Sequence, residues 1–295
     1  MLEFITTLKH RYQANQLNAK EQRSLEQLML IEAFLQKLTL ANLSRQIAVL
    51  GPTQSGKSSI VNLILQQPLA GVSPLAGFTV HPQGFAMGQS VENRVAIEQY
   101  FSDLQQVPQA ALNHTQYQSY SVTPCLEAIL PASVVWDTPD FDSIDAQSYQ
   151  QGVLKTLALA DVLVLVVSKE KYADQSVWDM LLLIEPLKQP VIVVLNKLVH
   201  ESERLIIDSF KARWQQIRGD SLPDIVSFFF MKQGLLLEPA SELHSLLYKT
   251  KPLAQKQQAV VAKRFIQQHW DAWIEPIKQE QMTRNAWQEV VSQVL

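Results

Sequence analysis

Eight consecutive residues, Gly51-Pro52-Thr53-Gln54-Ser55-Gly56-Lys57-Ser58, carry the clearest chemistry in the chain. Glycines at this spacing let the backbone curl until successive N–H groups point into one concavity, and a helix starting just beyond adds the partial positive charge of its N-terminus. Such a cradle suits phosphate oxygens. Lys57 would neutralise the β- and γ-phosphates of a nucleoside triphosphate, and the Ser58 hydroxyl would ligate Mg²⁺. Gly51, Gln54, Ser55, Gly56, Lys57, Ser58 and Ser59 are therefore the expected phosphate-side residues, with Lys57 and Gln54 as the catalytic candidates.

A second chemical group sits at Asp137, which ends the apolar run Ser133–Trp136. An aspartate at the end of a buried strand can reach Mg²⁺, usually through water, so Asp137 joins Ser58 on the metal side. Asp142 and Asp145 follow closely and read as caps of the next helix rather than as metal ligands. The six histidines are scattered, and none stands at a metal-ligand spacing from Cys125 or another histidine, which argues against a zinc site. No G-x-S-x-G elbow is present, which argues against a hydrolase triad.

The elements that must position these groups follow from hydrophobic patterning. The loop lies between the apolar run Ile47–Leu50 and a helical stretch over 58–67. Ser133–Trp136, Val162–Val167, Val191–Leu195 and Ile225–Phe230 also read as strands. Their continuous rather than alternating apolar character predicts burial on both faces, as in a parallel sheet covered by helices. The covering helices are expected at 58–67, 145–160, 175–187, 203–217 and 238–247. Between Pro68 and Pro131, prolines and glycines break the pattern, and only a short helix over 95–104 is expected.

Residues 1–44 read as helical, with Leu25, Leu28, Ile31, Leu35 and Leu38 on one face. From Lys256 onward the chain is helical again, with Ile266, Trp270, Trp273 and Ile277 as its apolar face and Pro276 expected to kink or end it. The domain expectation is a helical segment at 1–44, a nucleotide-binding domain at 45–250 and a helical segment at 251–295. With 47% apolar and 18% charged residues, a folded core is expected. The net charge of −3 gives no global attraction to nucleic acid or acidic lipid. One cysteine leaves no internal disulfide and fits a reducing compartment. Neither a signal peptide nor a membrane span is legible, so the expected location is the cytoplasm, with peripheral membrane attachment left open.

With these residues in place, the chain resembles Era-like, septin-like and bacterial dynamin-like P-loop GTPases over about residues 46–235. Asp137-Thr138-Pro139 is similar to their D-T-P-G motif, and Asn196-Lys197 to the N-K-x-D motif that reads guanine. Thr79, with Pro82 three residues on, resembles the T-x-x-P switch of dynamin-like proteins. Lys232 falls where the S-A-K motif sits, and Lys171–Trp178 also looks like bacterial dynamin-family sequence. The resemblance implies an α/β fold of the G-domain type: a mostly parallel sheet with helices on both faces, extended by helical N- and C-terminal segments. It implies GTP and Mg²⁺ as ligands and slow GTP hydrolysis as a molecular switch. It further implies Thr79 as a catalytic and metal-side residue, and Asn196, Lys197 and Lys232 around the nucleotide.

The departures from that pattern are as informative. Val199 stands where the guanine-reading carboxylate belongs, so ATP or general NTP hydrolysis on the same fold is the alternative; Glu201 or Glu203 are neighbouring acids that could replace it. Asp140 replaces a glycine whose N–H meets the γ-phosphate, and Phe141 falls where a water-orienting glutamine is kept. A nearly inactive nucleotide-binding scaffold is the other alternative. Seven basic and three acidic residues over 249–284 read as a solvated helix whose tryptophans pack on the N-terminal helix. Relatives of the dynamin type imply a homodimer through the nucleotide face; the protein partner is not legible, a membrane surface is not indicated, and nucleic acid is disfavoured.

Overall fold

The computed structural model describes residues 1–72, 79–88, 90–112, 117–125, 127, 129–142, 146–219, 222–229 and 237–294. Two helices open the chain, α1 (Leu2–Gln13) and α2 (Ala19–Leu38). The start of α2 is set by Asn18, whose side chain accepts from Glu21 N while the Glu21 side chain accepts from Asn18 N. Then follow β1 (Arg45–Leu50), α3 (Lys57–Leu65), β2 (Gln83–Met87), α4 (Val91–Tyr100), β3 (Gln105–Gln106), β4 (Ser119–Pro124), β5 (Ser133–Asp137) and α5 (Ala146–Leu159). The second half continues β6 (Val162–Ser168), α6 (Gln175–Ile184), β7 (Val191–Leu198), α7 (Glu203–Arg218), β8 (Asp224–Phe229), α8 (Leu237–Lys249) and α9 (Gln255–Val294).

The strands form one sheet in the order β3-β4-β2-β5-β1-β6-β7-β8. Every pairing is parallel except β2 with β5. The period of two decides which layer each residue joins. Ala48, Leu50, Leu163 and Leu165 face the layer of α1, α2, α5, α6, α7 and α9. Ile47, Val49, Val162 and Val164 face α3 and α8. Because both faces are covered, these strands are apolar throughout, which is why five of them are legible as continuous runs.

The three strands between 83 and 124 are not legible, and the reason is local. Gly84 reads as a turn signal, yet it lies inside β2 because a side chain there would collide with the Trp136 ring, whose atoms come within 2.9 Å of the position a Cβ would take. Trp136 is fully buried under this glycine, and its Nε1 donates to Gln46 Oε1 at 2.8 Å. The helix expected over 95–104 begins earlier, at Val91, because Ser90 caps it by accepting from Asn93 N.

The terminal helices close over the same sheet face. Trp273 of α9 is fully buried, donates from Nε1 to Gln27 Oε1 at 3.1 Å, and its carbonyl accepts from Tyr12 Oη at 2.9 Å. Phe4 stacks on Trp270 with ring centroids 5.3 Å apart. The buried face of α9 is nevertheless rotated from the expected one: Ala262, Phe265 and Trp273 are fully covered, Ile266 and Ile277 half-covered, and Trp270 is 40% exposed. Pro276 does not end the helix, which runs on through it. The ion pair of Lys37 Nζ with Asp161 Oδ1 at 2.7 Å fastens α2 to the start of β6, and Asp161 Oδ2 also accepts from Gln46 N at 2.9 Å.

Replacing Trp273 with alanine removes a fully buried indole and leaves the Gln27 side chain without its donor. Trp273→Ala should lower the unfolding free energy by about 3–5 kcal/mol, whereas Trp287→Ala, on an exposed stretch of α9, should change it by less than about 0.5 kcal/mol. Urea unfolding followed by circular dichroism measures both; equal effects would show that α9 is not part of the core.

Candidate functional site

The loop leaving β1 is shaped by two close approaches. A Cβ on Gly51 would lie 2.1 Å from Val166 O of β6, and one on Gly56 would lie 2.4 Å from Asn196 Nδ2 at the end of β7. Gly56 also takes φ +96°, and Gln54 a left-handed φ of +61°. The result is a tight curl seated on the C-terminal edges of the two neighbouring strands. Helix α3 then starts at Lys57 with Gly56 as its N-cap and no side-chain cap, so its first N–H groups keep their capacity for an external acceptor. Ser55 is fully buried inside the curl, and among the described residues its Oγ has no hydrogen-bond partner.

β7 supplies the brace on one side. Asn196 Nδ2 donates to Ser55 O at 2.9 Å, and Lys197 Nζ donates to Gln54 O at 2.7 Å. Asn196 and Lys197 thereby hold the loop by the carbonyls of Ser55 and Gln54, while Ser55 N donates within the loop to Pro52 O at 3.2 Å. β5 supplies the other side. Ser58 Oγ donates to Asp137 Oδ2 at 2.6 Å, and Thr138 donates through both N and Oγ1 to Val49 O, at 3.2 and 2.8 Å, which fixes the end of β5 against β1.

Asp137 is fully buried, and among the described residues its Oδ1 has no hydrogen-bond partner. Burial pushes its carboxyl up to about 6, against the Ser58 hydrogen bond and the Lys57 charge, which favour ionisation, while the charge of Asp140 adds to the rise. A hydroxyl beside a buried, unpaired carboxylate oxygen is a hard oxygen donor set of the kind Mg²⁺ takes. Ser58 and Asp137 therefore fit such an ion.

Lys57 is 4% exposed; its ammonium pairs with the Asp140 carboxylate and stands 3.3 Å from Pro52 O. Asp142, expected as a cap of the next helix, reaches the loop. Its Oδ1 accepts from Thr53 N at 2.6 Å and Thr53 Oγ1 at 2.7 Å, and its Oδ2 lies 3.3 Å from Lys171 Nζ. Burial raises the Asp142 carboxyl, but the bonds from Thr53 and Lys171 outweigh it and the net shift is downward. Nothing in the sequence pointed to this contact, because Thr53 and Asp142 are 89 residues apart and only the sheet brings their loops together.

The other expected residues lie as follows. Ser59 is half-buried in the first turn of α3. Thr79 is buried at 5% exposure ahead of β2, and it shares no hydrogen bond with Ser58 or Asp137. Lys232 and Asp145 lie outside the described residues. Val199 is 43% exposed and lines a cavity of about 480 Å³ together with Thr53, Gln54, Lys197 and the 169–171 turn after β6. Glu170 lines that cavity; among the described residues neither Glu201 nor Glu203 does. Glu170 was missed because its proximity depends on how the turn after β6 folds back toward the loop.

Residues 46–197, just over half of the chain, match the family model described as a 50S ribosome-binding GTPase. No curated protein matches the chain. Among solved structures it is similar to Era in complex with MgGDPNP and nucleotides of 16S ribosomal RNA, at 18% identity over 72% of this chain and 59% of that one, with a TM-score of 0.48. It is also similar to an Era variant from Aquifex aeolicus bound to GDP and AlF4⁻, at 18% identity over 71% of this chain and 57% of that one, TM-score 0.46. A third likeness is to an oligomerised bacterial dynamin pair linked to long-range sensing and tethering of membranes, at 15% identity over 99% of this chain and 49% of that one, TM-score 0.47. The chain thus spans about half to three-fifths of the length of these proteins.

The raised carboxyl of Asp137 has a consequence for stability. A native value of about 6 lies above the ordinary 3.8, so the native state binds more protons than the unfolded chain between those values. Stability should fall as pH rises through that window and stay lower above it, by roughly 3 kcal/mol at about 1.4 kcal/mol per pH unit. Asp137→Asn should abolish this component. Urea unfolding of both proteins without Mg²⁺ from pH 4 to 7.5 gives the difference; parallel profiles would show that Asp137 titrates normally.

Proposed function

Because the chain belongs to the 50S ribosome-binding GTPase family, we propose that it binds Mg²⁺-GTP at the loop 51–58 and hydrolyses it slowly as a molecular switch. The observation that carries this reading is the joint bracing of one loop from both sides: Asn196 and Lys197 hold its carbonyls from β7, and Ser58 meets Asp137 from β5. In this reading the backbone N–H groups of Gly51, Gln54, Ser55 and Gly56 and the first turn of α3 through Ser59 receive the phosphates. Lys57 supplies the cation. Ser58 and Asp137 hold Mg²⁺, which when bound neutralises charge on the β- and γ-phosphates. Thr79 is the proposed third oxygen ligand, and Lys232 the proposed contact on the far side of the base.

Slow hydrolysis follows from the residues beside the reacting phosphate. Phe141 is apolar and packs against the core, so it cannot orient a water molecule. Gln54 is the polar side chain proposed for that task. The unit that binds nucleotide is proposed to be 45–250, with the 1–44 and 251–295 helices as its readout. That readout is supported by the packing of α2 and α9 on the sheet face carrying α5, the helix after Asp140.

One observation favours a second reading, in which the base is not strictly guanine. Val199 cannot accept hydrogen bonds from a base edge, and Glu170 is the carboxylate lining the adjacent cavity. If Glu170 reads the base, guanine preference persists; if nothing does, GTP and ATP bind alike.

Two measurements test these readings. Lys57→Ala should weaken Mg²⁺-GTP binding by roughly 10²-fold, the scale of a lost charge-assisted contact, and Ser58→Ala should reduce the dependence of binding on Mg²⁺. Unchanged calorimetric affinity in Lys57→Ala would overturn the site. For the base, competition between GTP and ATP should show Glu170→Gln lowering, and Val199→Asp raising, the preference for GTP by about tenfold, as expected for one charge-assisted bond. No change in either variant would place the base elsewhere.

A further inference from the structure

Asp137, Asp140 and Asp142 each bond to a residue of the phosphate-binding loop, and of these the reading above uses only Asp137. The other two belong to the turn that leaves β5. Asp140 is 7% exposed and its carboxylate pairs with the Lys57 ammonium. Its backbone is held as well, because Tyr149 Oη donates to Asp140 O at 2.8 Å. Two residues on, Asp142 takes the N–H and hydroxyl of Thr53 at 2.6 and 2.7 Å. The turn is thus fastened to the loop twice, once at its cation and once at a backbone N–H. These are the two kinds of donor that a phosphate group uses.

We propose that the Asp140–Asp142 turn acts as an internal anion at the terminal-phosphate end of the loop, and that Asp140 sets the selectivity of the site in favour of nucleoside diphosphate over triphosphate. The inference rests on the reading of Lys57 as the phosphate cation. An ammonium has three donors. One goes to Asp140, and a second is directed at Pro52 O, 3.3 Å away. A β-phosphate can be held by the loop N–H groups and the remaining donor. A γ-phosphate needs Lys57 too, and it must either displace the Asp140 carboxylate or lie beside it as a like charge.

Placement argues that the conflict falls on the terminal phosphate. The Ser58–Asp137 pair marks the side of the loop where these residues would hold Mg²⁺, which would neutralise charge at the terminal-phosphate end. Asp140 follows Asp137 by three residues on the same turn, so its charge stands at that end rather than toward the nucleoside. Asp142 keeps the turn near the loop through Thr53 and Lys171 when Asp140 lets go, so exchange needs a local rotation and not the detachment of the whole segment.

The test is calorimetric titration of the wild-type protein, Asp140→Asn and Asp140→Gly with Mg²⁺-GDP and with Mg²⁺ and the non-hydrolysable imido analogue of GTP. Wild type should bind GDP more tightly than the analogue. Both variants should shift the ratio of the two affinities toward the triphosphate by about tenfold or more, the effect of removing one close like charge. Asparagine keeps the size and packing of the side chain, while glycine removes the side chain altogether, so agreement between them separates charge from local unfolding. Measurable binding of both nucleotides with an unchanged ratio in both variants would overturn the role of Asp140 and leave the phosphate site intact. Failure of wild type to bind either nucleotide would overturn the phosphate site, and this inference with it.

Discussion

A buried ammonium requires an anion, and the architecture around residues 51–58 follows from how Lys57 obtains one. With 4% of its surface exposed, Lys57 has lost most of its hydration, and without a partner that would be strongly unfavourable. The turn after β5 brings Asp140 to it, and Asp142 secures the same turn to Thr53. The balance is a property of the turn as a unit. Like charge from Asp140 also contributes to raising Asp137, which the Lys57 charge opposes, so these two carboxylates and the lysine are coupled in desolvated space.

The sheet makes that coupling possible. Parallel strands place their C-terminal ends along one edge, and loops from β1, β5, β6 and β7 meet there. Residues far apart in sequence become neighbours because register leaves them no alternative: Val49 is opposite Asp137 on one side and Val164 on the other. The two glycines at 51 and 56 convert this proximity into contact, since a side chain at either would push the loop off β6 and β7. The cradle of N–H groups is thus a product of packing as much as of loop sequence.

The helical layer is tied to the site both through the sheet and directly through α5. Lys37 meets Asp161 at the opposite end of β6 from the loop, and Trp136 links Gln46 to the glycine of β2. Tyr149 of α5 holds the Asp140 carbonyl, and Gln150, next along that helix, donates to Glu26 of α2 at 2.8 Å. A short chain of contacts therefore runs from the turn at Asp140 to the N-terminal helices.

By itself the sequence determined the glycine–lysine loop, the position of five core strands and their covering helices, and the place of Asp137 at the end of one of them. These depend on short-range rules: a fixed glycine and lysine spacing, and apolar runs buried on both faces. It did not reveal β2, where Gly84 looks like a turn until Trp136 is placed beneath it. Nor did it reveal the buried face of α9, because several helical faces there are equally apolar and only the fit of Trp273 against Gln27 and Tyr12 chooses among them. The partners of Lys57 and Thr53 were hidden for the same reason. Which carboxylate meets which donor is decided by distances between loops, and those exist only once strand order and register have brought residues about 80–90 positions apart into one edge of the sheet.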